Sequence, residues 1–137
     1  MSKILILGGD GYLGWPTAMH FAAKGWDVCS IDNYTKRRIS SESSSQPLVY
    51  FPEMDNRTKD LKASLGLNIE HFTGDLRDYD FISEIVKDFC PDTIIHYAEQ
   101  PSAPYSMQNY RTAFFTLQNN LEATFNVLWA VMEHAPD

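Results

Sequence analysis

The chain predicts an α/β fold: the first half of a doubly wound, Rossmann-like parallel sheet, with strand order 3-2-1-4 and helices on both faces. Three observations carry this. A short apolar run, Lys3 to Leu7, breaks into a glycine-rich segment from Gly8 to Gly14. A second apolar run, Asp27 to Asp32, ends on a carboxylate. Strand-like and helix-like stretches then alternate along the rest of the chain, and right-handed crossovers between parallel strands leave few topologies open.

The first element reads as a buried parallel strand, Lys3 to Leu7, feeding a glycine turn and then a helix from Tyr12 to about Lys24, with Gly25 as its cap. That arrangement cradles a pyrophosphate. Backbone N–H groups and the positive end of the helix dipole face the anion, and a Cβ would block either the turn or the approach of phosphate. The glycines fit G-x-x-G-x-x-G from Gly8 and G-x-G-x-x-G from Gly9. Either pattern alone is weak, and the strand-turn-helix context is what makes it specific. Asp32 falls eighteen residues after Gly14, at the end of the second strand. There it would accept hydrogen bonds from an adenosine ribose and repel a 2′-phosphate, which points to NAD rather than NADP. The basic triplet Lys36-Arg37-Arg38 just beyond it reads equally as a phosphate contact or as a solvated face.

Between 33 and 66 the apolar periodicity fades into a Ser-, Pro- and charge-rich segment. It reads as an insertion after the second strand, with a short helix from Asn56 to Ser64. The third strand is expected over Ile69 to Thr73, followed by Gly74-Asp75-Leu76. Asp75 is placed to meet an adenine amino group and equally to cap the next helix, and Leu76 to pack on the ring. That helix runs from Tyr79 to Phe89, with Ile82, Ile85, Val86 and Phe89 on one face. The fourth strand is Thr93 to Ala98, and a long amphipathic helix runs from Arg111 to His134.

Composition narrows the function classes. The 137 residues amount to one domain at most, with 44% hydrophobic and 21% charged residues, an ordinary globular balance. A net charge of −7 and the lack of a basic stripe argue against a nucleic-acid surface. The apolar start is too short for a signal peptide, no run is long enough to span a membrane, and a cytoplasmic location is expected. Cys29 and Cys90, in or beside apparent strands and without a C-x-x-C, read as reduced core thiols. His20, His71, His96 and His134 show no ligand spacing, so no metal is expected.

Four blocks carry a resemblance to a known family: Gly8 to Trp15, Val28 to Asn33, Gly74 to Leu76, and above all His96-Tyr97-Ala98-Glu99-Gln100-Pro101-Ser102-Ala103-Pro104-Tyr105-Ser106-Met107. Together they resemble the extended short-chain dehydrogenase/reductase (NAD-dependent epimerase/dehydratase) superfamily over nearly the whole chain. Ile39 to Lys62 is the poorest match. The Glu99 to Met107 block is most similar to the branch that joins sulfite to UDP-glucose, forming the sulfolipid head-group donor. The resemblance implies bound NAD and transient oxidation of the glucose C4 hydroxyl. Water is then lost across C5–C6, sulfite adds at C6, and the hydride returns.

By the same resemblance Gly8, Gly11, Tyr12, Leu13 and Gly14 hold the pyrophosphate, and Asp32 and Asn33 the ribose. Arg37 reaches across the cofactor, Asp75 and Leu76 hold the adenine, and Asn119 lies near the nicotinamide half. Ala98 and Glu99 fall on the nicotinamide side, while Gln100, Ser102, Ala103 and Tyr105 face the sugar nucleotide. The chain departs from the family at Pro101, where the plant members are expected to carry arginine, and at Glu122-Ala123, which replaces a small-Gly step.

The superfamily's proton-abstracting tyrosine has a lysine four residues later. None of the seven tyrosines here does: the residues at that spacing are Pro16, Arg38, Met54, Ser83, Pro101, Asn109 and Phe114. The expectation is therefore an amino-terminal third of a longer enzyme, with no catalytic residue of its own, weak NAD binding and an exposed edge at the fourth strand. A 4-epimerase or 4,6-dehydratase, and a short non-catalytic dinucleotide-binding protein, remain the alternatives. Homodimerisation through the long helix is a further implication of the resemblance.

Overall fold

Lys3–Leu7 forms β1, which pairs in parallel with β2 (Asp27–Asp32) on one side and β4 (Thr93–His96) on the other, while β3 (Glu70–Thr73) adds outside β2. The order β3-β2-β1-β4 is the one the sequence predicts. Leu7 sits opposite Ile31 and His96, so β1 and its two neighbours finish level. Their C-terminal ends open into the loops that carry the predicted site residues. The structure is a computed structural model and describes residues 1–43, 45 and 47–135. Ser44 and Gln46 of the predicted insertion, and Pro136 and Asp137, lie outside the described residues.

The chain divides into two compact units, Met1–Thr73 with Asp92–Tyr97, and Gly74–Pro91 with the residues from Ala98 onward. The first holds the sheet. Helix α1 (Gly14–Ala23) packs on β1 and β2, and α3 (Met54–Leu65) on β3. Ile4, Ile6, Val28 and Ile69 close a core with Ala18 and Ala22 of α1 and Leu61 of α3, edged by Trp15, Met19, Phe21 and Trp26. Each fully buried aliphatic side chain contributes about 1.5–3 kcal/mol. The alternate residues Leu5, Leu7, Cys29 and Ile31 are also buried, as the continuous apolar runs of β1 and β2 require.

In the second unit α4 (Tyr79–Phe89) and α6 (Tyr110–His134) lie against each other, and α5 (Ala103–Ser106) packs on α6. Ile82, Ile85 and Val86 are buried as expected, and so are Ala123, Val127 and Ala130 of α6. The start of α6 is fixed by a reciprocal box. The Asn109 side chain accepts from the Arg111 and Thr112 amides (2.9 and 3.1 Å), and the Thr112 hydroxyl accepts from the Asn109 amide at 3.2 Å.

Several boundaries differ from the sequence reading. The first helix begins at Gly14, because Tyr12 and Leu13 are spent in the turn. The 33–66 segment holds two helices, α2 (Thr35–Glu42) and α3, where one was expected. Its first helix has only one buried apolar residue, Ile39, and so leaves no periodic trace. Strand β3 starts one residue later than predicted, and β4 ends at His96 rather than Ala98. Cys90 is exposed and not a core thiol: it ends α4 in the left-handed region (φ 49), where the chain turns towards Pro91. Cys29 does lie in the core, where burial pushes its thiol up to about 12.

Candidate functional site

The glycine loop is built by close backbone packing. The Gly8 and Gly9 amides both donate to the Ile31 carbonyl (2.8 and 3.0 Å), tying the loop to the end of β2. Gly8 has φ 87, open to glycine at little cost. At Gly14 a Cβ would run into the Gly8 carbonyl, so the first turn of α1 needs glycine to close on the loop. Helix α1 has no side-chain cap. Among the described residues the amides of Tyr12, Leu13 and Gly14 donate to no other group, while Trp15 already bonds the Gly11 carbonyl at 3.2 Å. Three N–H groups at a helix start, on a loop from which Cβ atoms are excluded, fit an anionic pyrophosphate.

Asp32 closes the other side of this loop. Its Oδ2 accepts from the Asp10 amide at 2.9 Å and its Oδ1 from the Tyr34 amide at 2.7 Å. Burial raises its pKa above the ordinary 3.8, and the backbone amides of Tyr34, Asp10 and Asn33 oppose that rise. The carboxylate stands at the end of β2 beside the glycine loop, where the sequence reading expects a ribose contact. Asn33 accepts from the Thr35 amide (3.0 Å), which shapes the entry to α2.

The structure also gathers residues that sequence reasoning left unassigned. Asp10 is gripped by two arginines. Arg37 donates through Nε and Nη2 (both 2.6 Å), and Arg57 through Nη1 at 2.9 Å. Arg37 also donates to the Phe51 and Pro52 carbonyls. The predicted cofactor contact Arg37 is thus placed on the loop itself. Beneath the loop, Ser30 Oγ lies 3.4 Å from His71 Nδ1, and His71 Nε2 lies 3.4 Å from the Tyr34 hydroxyl. A Cβ at Gly9 would collide with Ser30, so this polar pair sits directly against the loop. Only the charge of Asp10 inside a glycine turn could have flagged the cluster. Arg57 is 47 residues away in sequence and gives no local signal.

In the second unit, α6 organises the two loops that follow β3 and β4. Asn126 Nδ2 donates to the Leu76 carbonyl at 2.9 Å, holding the loop that carries Asp75 and Leu76. Asp75 faces Arg77, accepting from its backbone amide at 3.0 Å and from its guanidinium at 2.7 Å. The helix-capping alternative for Asp75 does not hold, because Asp78 caps α4 by accepting from the Phe81 amide. Asn120 brackets Gln100, accepting its amide (2.8 Å) and donating to its carbonyl (3.1 Å). The Gln100 side chain turns onto Thr116 and Ser102, and Ser102 caps α5 through the Tyr105 amide. Glu99 accepts from the Thr124 hydroxyl at 3.2 Å, and Asn119 is buried with its amide on Asn120. Ala103 opens α5 and is exposed, while Ala98 is half-buried at the start of the loop. Asn120 and Asn126 were missed: Asn126 interrupts the buried apolar face of Ala123, Val127 and Ala130, whereas Asn120 stands among polar neighbours and gives no such signal.

A parallel sheet in the order 3-2-1-4, with a glycine loop after its first strand and a carboxylate ending its second, defines a Rossmann-like α/β unit. The chain belongs to the family whose description is GDP-mannose 4,6 dehydratase, which it matches over residues 5–136. It is 42% identical over 134 residues to UDP-sulfoquinovose synthase of Sulfolobus acidocaldarius and 38% identical over 135 residues to the chloroplastic UDP-sulfoquinovose synthase of Spinacia oleracea. Each match takes in 98% of this chain but only 34% and 28% of those proteins, so the chain spans about a third of their length or less. Among solved structures, UDP-glucose 4-epimerase from Bifidobacterium longum, in complex with NAD+ and UDP, superposes with a TM-score of 0.76. It does so at 22% identity over 97% of this chain and 34% of that one. The UDP-Glc/GlcNAc 4-epimerase of Campylobacter jejuni gives 0.74 at 26% identity over 98% and 34%.

Proposed function

We propose that this chain is the NAD-binding portion of a sugar-nucleotide-modifying enzyme, a UDP-sulfoquinovose synthase acting on UDP-glucose and sulfite. The observation that carries this is the 38–42% identity to two such synthases over 98% of the chain, joined to a glycine loop with three undirected amides and Asp32 beside it. NAD, when bound, supplies reversible hydride transfer at a sugar carbon. This chain's residues bind and orient. The amides of Tyr12 to Gly14, with Gly8 and Gly11 keeping the backbone close, hold the pyrophosphate, and Asp32 with Asn33 holds the ribose. Asp75 and Leu76 are assigned to adenine, and Ala98, Glu99 and Asn119 to the nicotinamide side. Gln100 shapes the loop presenting Ser102, Ala103 and Tyr105 to the sugar nucleotide. None of these residues moves a proton in this reading, since no tyrosine here has a lysine four residues on. A homodimer would use α6, on which Phe114, Leu117, Leu121, Phe125 and Leu128 are exposed.

The test is a protein carrying this sequence with whatever follows it in its reading frame, given NAD, UDP-glucose and sulfite. UDP-sulfoquinovose is the expected product. Sulfite-independent conversion of UDP-glucose to its C4 epimer would replace this reading with the epimerase one.

A further inference from the structure

Asp10 stands inside the glycine loop, yet no part of the proposed cofactor chemistry uses it. Its side chain and that of Arg57 are each only 9% exposed, and that of Arg37 is 33% exposed. Two guanidiniums thus meet one carboxylate in a sheltered place, with the Asp32 carboxylate held beside it by the Asp10 amide. The Arg57 guanidinium also lies 4.2 Å above the Trp15 ring, in the first turn of α1, and 6.0 Å from the Phe51 ring. Burying an arginine this way is costly unless the pair does something for the fold or the site.

The backbone connections show what it can do. The Asp10 amide donates to Asp32 Oδ2, so the same residue whose carboxylate the arginines hold also orients the ribose-facing carboxylate. Arg37 comes from α2 and reaches on to the Phe51 and Pro52 carbonyls, and Arg57 comes from α3. The segment after β2, which reads from sequence as an insertion, is thereby fastened to the loop at one point.

We propose that Asp10, Arg37 and Arg57 form a strut by which the segment after β2 sets the conformation of the glycine loop and of Asp32, and so presents the loop amides to a bound pyrophosphate. Asp10 and Arg57 are positioning residues in this arrangement: they hold the loop and touch no reacting atom. The ligand side of the proposal rests on the dinucleotide reading above, whereas the strut itself does not.

The experiment pairs NAD titration calorimetry with amide hydrogen exchange on the same chain, comparing wild type with Arg57→Met and Arg57→Lys. Methionine keeps an apolar stem against Trp15 and removes the charge, while lysine keeps the charge and loses the fork. Arg57→Met should bind NAD about tenfold more weakly and adenosine, which lacks the pyrophosphate, with a smaller loss. It should raise exchange in the 8–14 peptide and leave the 79–89 peptide unchanged. Arg57→Lys should recover part of the NAD affinity, and it serves as the readout if the methionine variant does not fold. Unchanged affinity together with unchanged loop exchange overturns the strut. A wild-type chain that ignores NAD while Arg57→Met still loosens residues 8–14 overturns the dinucleotide reading and leaves the strut standing.

Discussion

One added methyl group at Gly14 would press on the Gly8 carbonyl, a backbone group that has no rotamer to escape into. Gly14→Ala should therefore cost stability at the upper end of the ~1–3 kcal/mol range for overpacking, read as a lower urea midpoint. His71 makes a different kind of prediction. Burial between Ser30 and Tyr34 depresses its pKa below the ordinary 6.5, so the folded chain binds fewer protons there than the unfolded one. Its contribution to stability is complete above pH 6.5 and is lost as pH falls through the depressed value. The denaturation midpoint should drop as pH falls below 6.5 in the wild type, and drop less in His71→Gln. Equal pH profiles would remove His71 from this role. At this scale the sequence announced the glycines and Asp32, whose chemistry depends on local spacing. It hid Asp10, Arg57 and His71, whose partners lie 20 or more residues away.

Elements were legible where burial is periodic. Strands β1 and β2 and helix α4 match their predicted bounds because each has a continuous or one-sided apolar pattern. Helices α2 and α5 escaped because they bury one residue and none. What fixes α5 is Ser102 as its cap with Gln100 folded behind it, a side-chain arrangement with no periodicity to read. On α6 the informative residues interrupt the pattern. Asn126 is buried and donates to the Leu76 carbonyl, so Asn126→Ala should leave that acceptor unpaired and cost about 1–3 kcal/mol in chemical denaturation. A change near zero would mean that water replaces the bond and that the loop after β3 does not depend on α6.

For the molecule as a whole, strand order was predictable because few parallel topologies survive the handedness rule. Membership of the GDP-mannose 4,6 dehydratase family follows from a match over residues 5–136. No helix among the described residues is long and apolar enough to cross a membrane. The chain spans about a third or less of the length of the two synthases it matches. What the chain itself must do, in the proposed reading, is hold NAD and refuse the 2′-phosphate of NADP. The most direct measurement is calorimetric titration of the folded chain with each dinucleotide, alongside Asp32→Ala. Saturable NAD binding, at least about tenfold tighter than NADP and lost in Asp32→Ala, is the result expected from a carboxylate meeting the ribose. A folded chain that binds neither dinucleotide, or binds NADP as tightly as NAD, would contradict it.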